Sequence, residues 1–265
     1  MDDKLRQKGE ADLLFDLLLR GRFVCGNLYL CELMRKEEFQ EGKLLLIDKP
    51  VTWTSFDVVG KLRNTLKPLK LKVGHAGTLD PLATGLLIVC TGKATKKIDN
   101  YQAEDKEYTG VIQLGGTTPS FDLETEINQH FDISNITEDQ IHSVAASFIG
   151  EQQQFPPAHS AIQVNGERAY EIARRGEQVE LKSRTVFIHS FEIEKIELPE
   201  VHFRIKCSKG TYIRSIAHDF GQKLNNGAHL SALRRTMSGD FHVDDAWNLD
   251  ELINEIREQK TTWVI

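Results

Sequence analysis

The 265-residue chain is short of several things, and each shortage removes a class of protein. Its four cysteines, Cys25, Cys31, Cys90 and Cys207, form no C-x-x-C pair, and its nine histidines are scattered, so metal-ligand spacing is missing. Reduced thiols in a cytosolic, cytoplasmic protein are the expected state. No hydrophobic run approaches the length of a membrane span. The most apolar early stretch, LLFDLLL, is broken by Asp16, lies between charged flanks and lacks a small-residue cleavage site, which argues against a secretory leader. Gly/Ser-rich and Pro-rich linkers are absent, as is any repeat at a fixed period, so no domain boundary declares itself. CTGKAT carries the Gly-Lys of a phosphate-binding loop, yet no glycine stands five residues before Gly92, and Ala94 fills the Ser/Thr place. Asp219-Phe220-Gly221 has no glycine-rich loop or H-R-D around it, and no G-x-S-x-G occurs. Nucleotide-dependent and ordinary hydrolase chemistries therefore lose ground.

Positive charge is also scarce on average, with 33 basic against 39 acidic residues and a net charge of −6. Averages hide patches. From Lys61 to Lys97 eight basic residues (Lys61, Arg63, Lys67, Lys70, Lys72, Lys93, Lys96 and Lys97) stand with one acid, Asp80. A second basic series runs through Arg168, Arg174, Arg175, Lys182 and Arg184, and a third through Lys206, Lys209, Arg214, Lys223, Arg234 and Arg235. Each reads equally as a solvated face or as a surface for a polyanion. Acids gather at 122–126, at 192–200 and near the C-terminus, so opposite faces could carry opposite signs.

What is present is a succession of strands with a few helices. KLLLIDKP (43–50) is a short apolar run stopped by Pro50, which suits a buried strand delivering Lys49 to an edge. In TSFDVVGKLRNTL, Thr54 or Ser55 can cap a helix in which Phe56, Val59, Leu62 and Leu66 recur at helical spacing before Pro68. GLLIVCTG (85–92) and KEYTGVIQLGG (106–116) read as strands, and 137–148 has a helical period behind a cap. RTVFIHSFEIEKIEL and EVHFRIKCSKGTYIR are strands, SIAHDFGQKL is helical, and LRRTMSGDF is extended again. Strands neighbour strands without regular helical crossovers, which predicts an α+β fold with a mixed, mostly antiparallel central sheet and flanking helices. The N-terminal residues fit this plan poorly. Residues 1–41 are expected to be an extension, with Met34 as the natural start and the preceding residues dispensable.

The lone acid of the first basic region lies in GHAGTLDPLATGLL (74–87), on the connection into the strand at 85–92. Its simplest role is structural, because an Asp followed by Pro is a good helix start. The alternative is functional, since connections between rigid elements are where reactive groups concentrate.

That segment, with IDKP upstream, KEYTGVIQLG downstream, and then CSKGTYIRSIAHDFG and GAHLSALRR, strongly resembles bacterial tRNA pseudouridine synthases of the TruB type. The resemblance runs in order from about Gly42 to Phe241. It implies a pseudouridine synthase fold and isomerisation of the T-arm uridine at tRNA position 55, with tRNA as partner, no cofactor or metal, and a monomer. The catalytic domain is expected over 42–245. Within it, FPPAHSAIQVNGERAYEIARRGE and the residues that follow to 184 resemble the insertion that grips the T-arm. A C-terminal helix or tail (246–265) is too short for the RNA-binding PUA domain that many relatives carry.

The resemblance assigns Asp80 as the ionised carboxylate that attacks the ribose C1′ or the base C6, or that stabilises a glycal path. It pairs Arg214 with that carboxylate, places Tyr108 on the target base, sets Tyr212 and Leu233 against the nucleotide, and gives His75 the support of the flipped-out conformation. Lys49 with Pro50 matches a motif beside the active site. The chain departs from the family pattern in Thr52, where a glycine is usual and where a positive φ is therefore not expected. His159 and Gln163 stand where an aromatic and a lysine are usual, and TTPSFD replaces a TDTSD-like string. Two other classes compete: an RNA-binding module or folding chaperone, which has no need to keep Asp80, Tyr108 and Arg214 together, and a carboxylate-nucleophile hydrolase, which gives no reason for the basic surroundings.

Overall fold

The structure is a computed structural model and describes residues 36–164 and 166–260. The expected start at Met34, and the extension up to residue 35, lie outside the described residues. The chain divides into two compact units, one built from residues up to 102 together with those from 240, the other from 103–239. This division cuts through 42–245, the stretch expected from sequence to form one domain.

In the first unit, helix α1 (Lys36–Glu41) precedes strand β1 (Leu44–Lys49), helix α2 (Ser55–Thr65), and strands β2 (Val73–Ala76) and β3 (Thr84–Thr91). Four successive apolar residues make β1 a strand buried on both faces, and it pairs antiparallel with β3 from Leu44 opposite Cys90 to Lys49 opposite Gly85. Strand β2 lies on the same partner, His75 opposite Val89. Helix α2 begins with a capping box: the Asp57 N–H donates to Thr54 Oγ1 (3.0 Å) and the Thr54 N–H to Asp57 Oδ2 (2.8 Å). Thr54 is thus the cap, which releases Ser55 for another task. Helix α3 (Ile98–Ala103) leads out of this unit.

The second unit carries strand β4 (Lys106–Leu114), helix α4 (Glu138–Ala146), strand β5 (Gly150–Gln154), helix α5 (Ala169–Arg174), strands β6 (Arg184–Glu197) and β7 (Glu200–Cys207), helix α6 (Ile213–Lys223) and strand β8 (Ala228–Ser238). Its strands run in the order β8-β4-β7-β6-β5, every neighbour antiparallel. Helices α4 and α6 pack on this sheet through an aromatic cluster. Phe191 of β6 lies 5.8 Å from Phe148 at the end of α4, 5.8 Å from Phe220 of α6 and 5.6 Å from Phe203 of β7, ring centre to ring centre. Each such ring contributes roughly 1.5–3 kcal/mol by burial.

Returning to the first unit, strand β9 (Trp247–Asn248) pairs parallel with β1, Ile47 opposite Trp247, and leads into helix α7 (Leu249–Lys260), which lies against α2 and β1. The architecture is the expected α+β arrangement of a mostly antiparallel sheet and helices. Within α2, Phe56, which recurs at helical spacing with Val59, Leu62 and Leu66, is 71% exposed, and Val58 is buried instead.

The middle of β4 shows how tightly the second unit is packed. A Cβ on Gly110 would stand 2.5 Å from the Ala232 carbonyl of β8 and 2.8 Å from the Phe203 ring of β7. Gly110→Ala should therefore destabilise the protein by roughly 1–3 kcal/mol in urea unfolding, whereas an unchanged midpoint would mean that β4 and β8 separate freely.

Candidate active site

Asp80 lies in the loop from β2 to β3, and that loop is fixed from one side. The Asp80 carbonyl accepts from the Ala83 N–H (3.1 Å), closing a β-turn with Pro81 at its second position. Asp80-Pro81 therefore does not start a helix: the preset φ of proline serves a turn, and β3 follows at Thr84. Leu79, one residue earlier, is clamped by Ser55. Its N–H donates to Ser55 Oγ (2.9 Å), and that hydroxyl donates to the Leu79 carbonyl (3.2 Å). The Thr52 N–H reaches the Pro81 carbonyl (2.8 Å).

Lys49 completes the clamp. Its side chain is fully buried, and its ammonium donates to the carbonyls of Trp53 (2.6 Å), Pro50 (2.9 Å) and Pro81 (3.3 Å). Strand β1 thus delivers Lys49 into the protein and not to an exposed edge. The chain must bend sharply to bring the Pro50 and Trp53 carbonyls onto one ammonium. Thr52 accordingly adopts φ 71°, contrary to the expectation that loss of the family glycine removes a positive-φ turn. The hydrogen bond to Pro81 and the lysine hold it there against a cost of roughly 1–2 kcal/mol.

Beside this clamp, His75 of β2 meets the Phe56 ring edge-on at 5.3 Å. Phe56 also borders an open cleft of about 510 Å³ lined by Thr52, Trp53, Asp57, Lys61 and Asn64. Lys49, His75 and Asp80 therefore share one unit, with the loops of the first and last bonded to each other.

Tyr108, Tyr212, Arg214 and Leu233 belong to the second unit. Tyr108 is buried on β4, opposite Ile205 on one side and Arg235 on the other, and Leu233 stands opposite Gly110 two residues on. Lys106 shares the buried side of β4, where desolvation and the nearby Arg235 guanidinium push its ammonium down to about 8. Arg214, in the first turn of α6, is also buried. Its Nη1 donates to the carbonyls of His159 (3.0 Å) and Ser120 (3.1 Å), and its Nε lies 3.5 Å from Asp122 Oδ2.

Asp122 organises the loop around it, accepting the Glu124 N–H at Oδ1 (2.9 Å) while its carbonyl accepts from the Thr118 (2.7 Å) and Ser120 (3.1 Å) hydroxyls. Sequence reasoning did not single out Asp122, and it offered Ser55 only as a possible helix cap. The hint for Asp122 was the final aspartate that TTPSFD shares with the family string. His159 enters through its main chain, where any residue would serve, and Gln163 lies on a two-residue ladder with Arg168 in the segment 155–184. Two arginines of that segment are already matched by acids, Arg174 with Glu124, and Arg175 with Glu167 and Glu177. Such exposed pairs are worth about 0–1 kcal/mol and are easily exchanged for phosphate.

The two described cysteines do not compete as nucleophiles. Burial pushes the thiols of Cys90 and Cys207 up to about 12, so neither is a thiolate at neutral pH.

The α+β fold with its mostly antiparallel sheet is shared with the pseudouridine synthases, which are isomerases, and the relatives of the chain place it in that class. Two family models cover most of the chain: "TruB family pseudouridylate synthase (N terminal domain)" at residues 63–213 and "tRNA pseudouridylate synthase B C-terminal domain" at residues 214–263. The chain is 56% identical over 218 residues to the tRNA pseudouridine synthase B of Flavobacterium johnsoniae, covering 80% of this chain and 95% of that one. It is 51% identical over 219 residues to the corresponding protein of Chloroherpeton thalassium, covering 82% and 91%. Among solved structures it is similar to a chain in the crystal structure of a Cbf5-Nop10-Gar1 complex, with a TM-score of 0.67 and 31% identity over 87% of this chain and 59% of that one. It thus spans about three fifths of that solved chain. The protein belongs to the TruB family of pseudouridine synthases.

The strained residue of the clamp gives a direct test. Thr52→Gly removes the left-handed penalty and should stabilise the protein by roughly 0.5–1 kcal/mol, read as a higher urea midpoint. A lower midpoint would mean that the threonine side chain holds the loop.

Proposed function

We propose that this protein converts a uridine in the T-loop of tRNA, at position 55, to pseudouridine. The observation that carries the reading is the aspartate turn itself, fixed by Ser55, Thr52 and Lys49, in a chain about half identical to proteins named tRNA pseudouridine synthase B. The reaction breaks the N1–C1′ bond, forms a C5–C1′ bond, and moves one proton from C5 to the surroundings while N1 gains one. Atoms balance without an oxidant or a second substrate. One ionised carboxylate suffices, and Asp80 takes that role, attacking C1′ or C6 or stabilising a glycal path.

A uridine folded within the T-loop hides those carbons, so it must be turned out of its stack at a cost of roughly a few kcal/mol. Stacking on Tyr108 offsets part of this, at about 1–3 kcal/mol per base. Arg214 balances the carboxylate charge, Tyr212 and Leu233 bound the nucleotide, and His75 supports the everted conformation. Lys49 acts by holding the turn. The segment 155–184 supplies phosphate contacts, which set register without reading sequence. No helix among the described residues is long and apolar enough to cross a membrane, and the cytoplasm, where tRNA is processed, is the place proposed for the reaction.

An unmodified tRNA transcript incubated with the protein, without metal or nucleotide, should acquire pseudouridine at the T-loop uridine. Asp80→Asn should slow this roughly a thousandfold or more while RNA affinity stays within a few fold. Isomerisation that survives the substitution would overturn the assignment, and RNA binding without isomerisation by the wild type would favour a chaperone.

A further inference from the structure

The segment 155–183 leaves strand β5 at Gln154 and returns into strand β6 at Arg184, and these two residues face each other across the strand pair. Both hold Tyr212. The Gln154 carboxamide is buried and grips the Tyr212 main chain twice: the Tyr212 N–H donates to Oε1 (2.8 Å), and Nε2 donates to the Tyr212 carbonyl (3.0 Å). The Arg184 guanidinium lies over the Tyr212 ring, 4.3 Å from its centre. Two further bonds run from the segment to the start of α6. Ser215 Oγ donates to the Phe155 carbonyl (2.8 Å), and Arg214 Nη1 donates to that of His159.

Tyr212 is the N-cap residue just before α6, and its side chain makes no capping hydrogen bond. Its main-chain position sets the direction in which the first turn points Arg214. A carboxamide that both accepts from and donates to one residue fixes that peptide in translation and in rotation, which a single hydrogen bond does not.

We propose that the neck of this segment is a positioning device, with Gln154 the residue that sets Tyr212 and, through the first turn of α6, Arg214. This rests on the proposed role of Arg214 in the isomerisation. Because the same neck carries the segment proposed to contact the T-arm, RNA held along 155–184 loads the peptide that aims the arginine. Gln154 is then a positioning residue: its loss slows the chemical step and leaves RNA binding alone.

Gln154→Met keeps the length of the side chain and removes both hydrogen bonds. At saturating tRNA transcript its single-turnover rate should fall about ten- to a hundredfold, with the RNA dissociation constant within twofold of wild type. Gln154→Glu, which retains the acceptor for the Tyr212 N–H, should lie between the two and covers the case in which the methionine variant folds poorly. A full rate at saturating RNA, or a slow rate restored by adding RNA, overturns the proposal. Hydrogen exchange at the amides of 212–216 needs no substrate and should quicken in Gln154→Met. Unchanged exchange overturns the clamp by itself, whereas a wild-type protein that leaves the T-loop uridine unmodified, with exchange quickened as expected, counts against the proposed substrate only.

Discussion

The buried ammonium of Lys49 is the constraint on which the first unit depends. A cation with no solvent contact must be met by acceptors, and three main-chain carbonyls meet this one. Two of them belong to the loop after β1 and the third to the turn that carries Asp80. The lysine therefore ties a sequence-local bend to a loop some thirty residues away. Its consequences spread outward: Thr52 is forced to a positive φ, its N–H is aimed at Pro81, and α2 starts where Ser55 can clamp Leu79. A flexible loop would leave the aspartate free to turn toward water or toward the basic residues that surround it in the chain. This one holds its main chain on both sides of Asp80.

The second unit solves the corresponding problem with an arginine. Arg214 is buried and is matched by the carboxylate of Asp122 and by two carbonyls, one from the loop that Asp122 organises and one from the segment after β5. The aromatic cluster of Phe148, Phe191, Phe203 and Phe220 seats α6 on the sheet through Phe220, later in the helix. In both units a charged side chain is held by main-chain oxygen, which a change of a neighbouring side chain does not easily remove.

Much of this was legible in the sequence, and the limits of legibility are physical. Strands β1, β3, β4, β6 and β7 follow from runs or alternations of apolar residues, because a pleated strand sorts its side chains by parity. The helix caps at Thr54 and Thr137 follow from local chemistry. The motif around Asp80 identified the family, and the family comparisons agree. What stayed hidden depends on contacts distant in the chain. The switch of Phe56 from core to surface follows from how α2 meets β2 and α7, not from its period. The positive φ of Thr52 arises from a lysine three residues earlier and a carbonyl in another loop. Asp122, Ser55 and Gln154 are ordinary polar residues whose importance appears only when their partners, Arg214, Leu79 and Tyr212, are placed beside them.

The central claim is that Lys49 holds the aspartate turn. Lys49→Met keeps the buried stem and removes the ammonium, and hydrogen exchange across residues 79–83, measured together with single-turnover isomerisation, tests it most directly. Selective acceleration of exchange in those amides, with a matching loss of rate while the second unit keeps its protection, is the expected result. Unaltered exchange in the turn with full activity would contradict it.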